Sequence, residues 1–260
     1  MTKTVKLSVA GRVARISITA PPLNILTAEV QDELRSVIET LRGRSDHNAV
    51  FVESGIENVF SAGADVAEHL GREKTTTMLR SAHALIAEIL RSPVPTVCIV
   101  DGSCLGGAFE FALACDQIVA SPASKFGTPE ILLGCYPPAA MVLMPQKLPA
   151  LFAAELIQTG GIFTATELQE RGGGLSVTGQ TQSLHEVAAD LADSFGTLPR
   201  GPLMEATRLL RAGASERFLA QVGGIEQAYL ERLLSLNDAK EGPEAFLAKR
   251  KPQWDHLEYR

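Results

Sequence analysis

The sequence predicts an α/β fold in which strand–helix crossovers build a sheet and a helical tail follows. Three observations carry this expectation. Residues 5–18 alternate in hydropathy, residues 27–121 switch between helical and strand periodicity, and from about Leu148 onward the periodicity is helical. A chain of 260 residues with 45% hydrophobic content can bury a sizeable core, as one large domain or as a core with an appendage.

The elements follow in order. Val5, Leu7 and Val9 alternate, as do Ala14, Ile16 and Ile18, with Ala10-Gly11 between them, which predicts a β-hairpin. Val30, Leu34, Val37, Ile38 and Leu41 share one helical face, with Thr27 suited to cap that helix and Gly43 to stop it. "AVFVES" (49–54) reads as a strand and "TTTMLRSAHALIAEILRS" (75–92) as a helix with Met78, Ala82, Leu85, Ile86 and Ile89 inward. "PTVCIVDG" (95–102) is a buried strand, and another lies in "CDQIVAS" (115–121). Later helices are expected in "PALFAAELIQTG", "TATELQERG", "LHEVAADLADSFG", "GPLMEATRLLRAG", "ASERFLAQVGGIEQAYLERLLSL" and "GPEAFLAKRK". The run "RGGGLSVTG" (171–179) reads as a loop or helix end, and no internal repeat is visible.

Charge and cysteine usage narrow the function classes. Net charge is −6, from 24 basic and 30 acidic residues, so a non-specific nucleic-acid binder is disfavoured. No apolar run in "MTKTVKLSVAGRVARISITAPP" suits a signal peptide or a membrane span. Cys98, Cys104, Cys115 and Cys135 match no zinc spacing, which predicts buried reduced thiols, a cytoplasmic protein and no metal site. His47, His69 and His83 lack suitably spaced partners and read as surface or core histidines, while Asp65 and Asp116 stand at element ends and read as caps.

Three segments permit chemistry. "FSAGADVAEHL" (60–70) places small residues after a strand, where backbone N–H groups can approach a ligand. In "DGSCLGGAFEFALACD" (101–116), Gly106-Gly107 open an apolar helix, and a helix N-terminus suits an oxygen that becomes negative. One N–H from each loop would make an oxyanion hole. Glu110 follows one turn later among apolar neighbours, where a desolvated carboxyl has a raised pKa, although alone it could equally be ion-paired or exposed. "KFGTPEILLGCYPPAAMVLMP" (125–145) adds Glu130, either half of an acid/base pair or a helix N-terminal acid.

Taken together, "FSAGAD" (60–65), "LGGAFEFALACD" (105–116), "FGTPEILLG" (126–134) and "EGPEAFLAKRKPQW" (241–254) resemble the crotonase, or enoyl-CoA hydratase/isomerase, superfamily in order and spacing. The resemblance implies a crotonase-type spiral of ββα units with a C-terminal helical trimerisation region. Residues 1–195 would form the core with its acyl-CoA site and residues 196–260 the oligomerisation region of a homotrimer or hexamer. It implies an acyl-CoA substrate and no cofactor beyond coenzyme A as part of that substrate. The N–H groups of Ala64 and Gly107 would form the oxyanion hole, with Glu110 and Glu130 as the two catalytic carboxylates. Leu23, Ala62, Asp65 and Val66 would line the CoA channel, and Phe246 and Lys249 would reach a neighbouring subunit's CoA. Retention of both acids favours hydratase chemistry over isomerase or C–C hydrolase chemistry, and over a non-catalytic CoA- or RNA-binding role.

Departures from the family pattern refine this. Pro138 in "YPPAAMV" stands where a glycine N–H would help hold water, Ala108-Phe109 replaces Gly-Cys and would put a bulky ring beside the pocket, and Ala67 replaces a CoA-binding lysine. The combination of "PPLNILT" (21–27), "SAGADVAEHL" (61–70) and "PPAAMVLMP" (137–145) looks more like the hydratases of cyclohexa-1,5-diene-1-carbonyl-CoA than the ordinary hydratases of fatty-acid β-oxidation. Pocket shape is expected to depend on Phe109, Tyr136 and Met141.

Overall fold

The structure, a computed structural model, describes residues 4–179 and 182–255, so the outer ends of the expected regions 1–195 and 196–260 lie outside it. Strand β1 (Val5–Ala10) turns into β2 (Val13–Ile18) in antiparallel register, Val5 opposite Ile18. The turn residues Gly11 and Arg12 have φ of 55° and 61°, the positive values a tight two-residue hairpin requires. Helix α1 (Ala28–Arg42) starts where the Thr27 side chain accepts from the Val30 N–H, and Gly43 follows its last turn.

Three ββα turns then stack. The first is β3 (Ala49–Ser54), β4 (Val59–Ser61) and α2 (Arg72–Leu90); a 3-10 turn, Val66–His69, precedes α2. The second is β5 (Thr96–Val100), β6 (Ser103–Leu105) and α3 (Gly107–Ala114). The third is β7 (Gln117–Ala120), β8 (Lys125–Gly127) and α4 (Pro138–Lys147), with a 3-10 turn over Pro129–Leu133. In each turn the first strand joins one sheet and the second strand joins another. This repeat is invisible in the sequence because its turns share geometry and not residues.

The chain continues through α5 (Ala150–Thr159), β9 (Ile162–Thr164), α6 (Ala165–Glu170), β10 (Ser176–Val177), α7 (Leu184–Thr197), α8 (Arg200–Glu231) and α9 (Asp238–Leu247). The larger sheet runs β1-β2-β3-β5-β7-β10, parallel from β2 onward, and the smaller runs β4-β6-β8-β9. Strand β5 is buried along its whole length, as a parallel strand covered on both faces should be. Alternation in β3 divides the core: Val50 and Val52 join the main cluster, while Ala49 and Phe51 pack with Ala188 and Phe195 of α7.

Some elements differ from expectation. The segments "GPLMEATRLLRAG" and "ASERFLAQVGGIEQAYLERLLSL" form the single helix α8, which passes through Gly213 without a break. Gly costs a helix only about 1 kcal/mol relative to Ala, and burial of the α8 face outweighs that. The run 171–179 holds the short strand β10, and the apolar stretch after Pro137 is α4, started by a proline whose missing N–H a first helical turn tolerates. All four cysteines are buried and free of disulfides. Among the described residues no His, Cys, Asp or Glu cluster is arranged to hold a metal, and no helix is long and apolar enough to cross a membrane.

Helix α8 is tied to the core by buried Arg211. Its guanidinium donates to both oxygens of Asp116, to the carbonyls of Ile89, Ser92 and Val94, and to Thr96 Oγ1. Asp116 also accepts from the Thr96 N–H at 2.7 Å. Asp116 therefore joins the tail to the core and is more than the cap the sequence suggested.

Candidate active site

The three segments singled out in the sequence leave the C-terminal ends of β4, β6 and β8, the strands of the smaller sheet. Parallel pairing sets Ser61 beside Cys104 and Leu105 beside Gly127, so successive turns of the spiral bring the segments together. The gap between the first two is narrow. A Cβ on Gly63, at φ 95°, would lie 2.6 Å from the Leu105 carbonyl and 3.4 Å from the Gly107 nitrogen. Only glycine permits that approach.

The 62–64 loop is clamped from outside. The N–H of Ala62 donates to the Leu23 carbonyl at 3.0 Å and the N–H of Leu26 to the Gly63 carbonyl at 2.9 Å. Buried Asn24 holds this arm through Ile18, Ser54 and Phe60. Gly63 N–H is taken by Ser61 Oγ at 3.0 Å. The N–H groups of Ala64 and Gly107, by contrast, have no acceptor among the described residues. Gly107 opens α3, whose first amides have no intrahelical partner.

Two carboxyls bracket the Gly106-Gly107 step. A Cβ on Gly106, at φ 55°, would lie 2.8 Å from Glu130 Oε1, and one on Gly107 would lie 3.9 Å from Glu110 Oε2 and 3.7 Å from the Ala64 nitrogen. Glu110 is buried, and its Oε1 accepts from the Ala140 N–H of α4 at 2.8 Å. Burial raises its pKa above the ordinary carboxylate value, opposed by the Ala140 amide, the His83 ring and the Ala139 amide. Glu130 is half-buried, with Oε2 enclosed and unpartnered. Burial and then the Glu110 charge push it up to about 8. The two environments differ: two amides of helix α4 favour charge on Glu110, whereas Glu130 has only its own backbone amide to do so. Burial and the Glu110 charge favour the protonated form of Glu130, while the Ala140 amide favours charge on Glu110.

Both acids line one cavity of about 90 Å³, several times the space one water needs. Ala62, Ala64, Val66, Gly107 and Pro138 line it too. Leu23 does not; its carbonyl holds Ala62 while its side chain is exposed. The Asp65 carboxylate caps the 3-10 turn through the Ala67 N–H and faces a shallow outer depression beside Lys74. Phe246 and Lys249 are exposed near the end of α9, away from the cavity.

Phe109 corrects an expectation. Its ring is fully buried against Phe126, centroids 5.2 Å apart, on the far side of α3 beside a smaller cavity. Successive helical residues diverge by about 100°, so pointing Glu110 into the main cavity turns Phe109 away, and Phe111 supplies the aromatic wall. Tyr136 lines the cavity as expected, and Met141 does not. Sequence reasoning missed His69, His83, Gln31 and Tyr229, all of which line it. Gln31 Oε1 and the Tyr229 hydroxyl are buried without partners. A lone Gln, Tyr or His on an apolar helix face gives no sign in sequence of pointing into a cavity.

Comparisons with known proteins agree with this fold. The sequence model of the family described as enoyl-CoA hydratase/isomerase matches residues 9–257. A cyclohexa-1,5-dienecarbonyl-CoA hydratase of Thauera aromatica is 32% identical over 249 residues, covering 95% of this chain and 94% of that protein. A carnitinyl-CoA dehydratase of Proteus mirabilis is 28% identical over 260 residues, covering 98% and 99% of the two chains. The crystal structure of an enoyl-CoA hydratase from Mycobacterium avium superposes with a TM-score of 0.85 at 27% identity, covering 98% of this chain and 100% of that one.

Proposed function

The chain belongs to the enoyl-CoA hydratase/isomerase family, and from that premise we propose that it adds water to an α,β-unsaturated acyl-CoA thioester. One observation carries the reading: two buried carboxyls share a cavity with two N–H groups that have no other partner. The favoured substrate is cyclohexa-1,5-diene-1-carbonyl-CoA, supported by the Thauera aromatica relative.

In this mechanism the thioester oxygen sits between the N–H groups of Ala64 and Gly107. Glu110, the charged acid, removes a proton from water as its oxygen bonds to carbon. The double-bond electrons move onto the thioester oxygen, where the two amides stabilise the enolate; such a donor is worth roughly 10²–10³ in rate. Glu130 then gives its proton to carbon as the enolate collapses. Glu110 has gained one proton and Glu130 has lost one, and exchange between the two restores the pair. Ala62 and Val66 flank the thioester's path, with Leu23 and Asp65 on the outer side of the same loop. Phe246, exposed in the last turn of α9, and Lys249, exposed just beyond it, are available to the CoA of a neighbouring subunit in a homotrimer or hexamer.

The test is loss of enoyl-thioester ultraviolet absorbance with crotonyl-CoA and with the cyclic dienoyl-CoA, and product mass. Gain of one water identifies a hydratase, and an unchanged mass identifies an isomerase. Faster turnover of the cyclic thioester is expected. Inertness toward both removes the hydratase reading.

A further inference from the structure

His83 lies on the same face of α2 as the apolar residues that line the cavity, and its ring is itself part of the lining. The ring is buried, its edge set against Phe218 of α8 at a centroid distance of 6.3 Å. Nδ1 lies 3.0 Å from Oε2 of Glu226, also on α8, and Arg80 of α2 approaches the other Glu226 oxygen at 3.5 Å. The His83 hydrogen bond is the main cause holding Glu226 below the usual carboxylate range. An ionised carboxylate only accepts, so Nδ1 carries a hydrogen, and in the neutral ring Nε2 is then the acceptor.

The cavity's other groups show where such an acceptor is needed. A water about to attack carbon points a lone pair at it and must place two hydrogens elsewhere. Glu110 Oε2 takes one, since Oε1 is held by the Ala140 amide. The Ala64 and Gly107 amides are donors, a protonated Glu130 directs its O–H at the substrate and keeps one accepting oxygen with no partner to orient it, and Met78, Leu79, Leu85 and Ile86 offer nothing. Pro138, at the start of α4, has no N–H with which to hold the water from its side. Of the remaining acceptors, His83 alone is oriented by a charged partner.

We propose that His83 is a third substrate-facing residue: Glu226 fixes its tautomer, and Nε2 accepts the hydrogen of the attacking water that Glu110 does not remove. No proton passes to His83. The hydrogen it holds stays on oxygen and becomes that of the product hydroxyl. Glu226 acts through the ring as a positioning residue. The proposal rests on the hydratase reading.

Two measurements on the full-length protein test it. In steady-state hydration of crotonyl-CoA, His83→Leu lowers kcat by about 10- to 100-fold with KM changed less than about 3-fold, as for an interaction made in the transition state. His83→Gln, whose amide oxygen can stand near the Nε2 position, recovers most of the loss, and Glu226→Gln falls between. In calorimetry, wild type binds 3-hydroxybutyryl-CoA about 3- to 10-fold tighter than butyryl-CoA, the size of one hydrogen bond. His83→Leu abolishes that preference and His83→Gln keeps it. Unchanged kcat and preference in His83→Leu overturns the proposal, as does equal loss in Leu and Gln variants. Absence of wild-type turnover, with the preference present and dependent on His83, overturns the hydratase reading and the water role while the ligand contact stands.

Discussion

Two clusters of buried charge, one at Arg211 and one at Glu110–Glu130, lie against opposite ends of α3 and are built on opposite rules. Arg211 meets Asp116, three carbonyls and a hydroxyl, so its guanidinium is satisfied on every side. Around the glutamates the accounts stay open. Among the described residues Glu130 Oε2, Gln31 Oε1 and the Tyr229 hydroxyl have no partner, and neither do the Ala64 and Gly107 amides. Each unpaired buried group costs on the order of 1–3 kcal/mol. Under the proposed function the second cluster is completed by the thioester and its attacking water.

The largest expected effect breaks the closed side. Arg211→Met takes the ion-pair partner from half-buried Asp116 and strands the buried carbonyls at the end of α2, so a loss of about 3 kcal/mol is expected. Chemical denaturation measures it. The activity of the remaining folded molecules stays near wild type, because Arg211 lies outside the main cavity. A collapse of kcat at unchanged stability would erase the distinction between the clusters.

Next in size are Glu110→Gln and Glu130→Gln, each expected to lower kcat by at least about 10²-fold with little change in CoA affinity. Stability should move the other way. Glu130 is raised from an ordinary 4.5 to about 8, so between those values the folded state holds a proton that the unfolded chain has released. Its contribution is complete below the lower value and fades as pH rises through the upper one. Wild-type stability therefore declines over that window, and Glu130→Gln flattens the decline. The rate follows the same pair: it rises as Glu110 ionises, above the ordinary carboxylate range, and falls near pH 8 as Glu130 loses its proton. A carboxyl pair titrates jointly, so both limbs belong to the pair. A flat profile across that upper limb removes Glu130 as the proton donor.

Local signals were legible in the sequence and long-range ones were not. Thr27, Gly43 and the alternation of residues 5–18 act within a few positions, and their helix and hairpin stand where expected. Gly106-Gly107 announced a helix start, but Glu110 in the same stretch could equally have been ion-paired or exposed. His83 and Glu226 are 143 positions apart, and nothing near either one hints at the other. Asp116 and Arg211 are similarly separated, by 95 positions, so a cap and a tail anchor look alike in sequence. The continuity of α8 through Gly213 is decided by the surface it packs on.

The smallest effect sharpens the comparison within a single helix. Phe109 and Phe111 flank Glu110, each about 100° from it, and the sequence treats them alike. Phe109 packs on Phe126 on the closed side, whereas Phe111 borders the open cavity. Phe109→Leu should therefore cost about 1 kcal/mol of stability and leave kcat/KM within about 2-fold, as a core substitution does. Phe111→Leu widens the cavity, and it should shift the relative kcat/KM of cyclic and linear enoyl thioesters by about 3- to 10-fold. Measuring both variants on both substrates separates the two faces. A substrate shift produced by Phe109→Leu and absent from Phe111→Leu would put the specificity wall on the wrong side of α3, and the cavity that both glutamates share would no longer be where the acyl group binds.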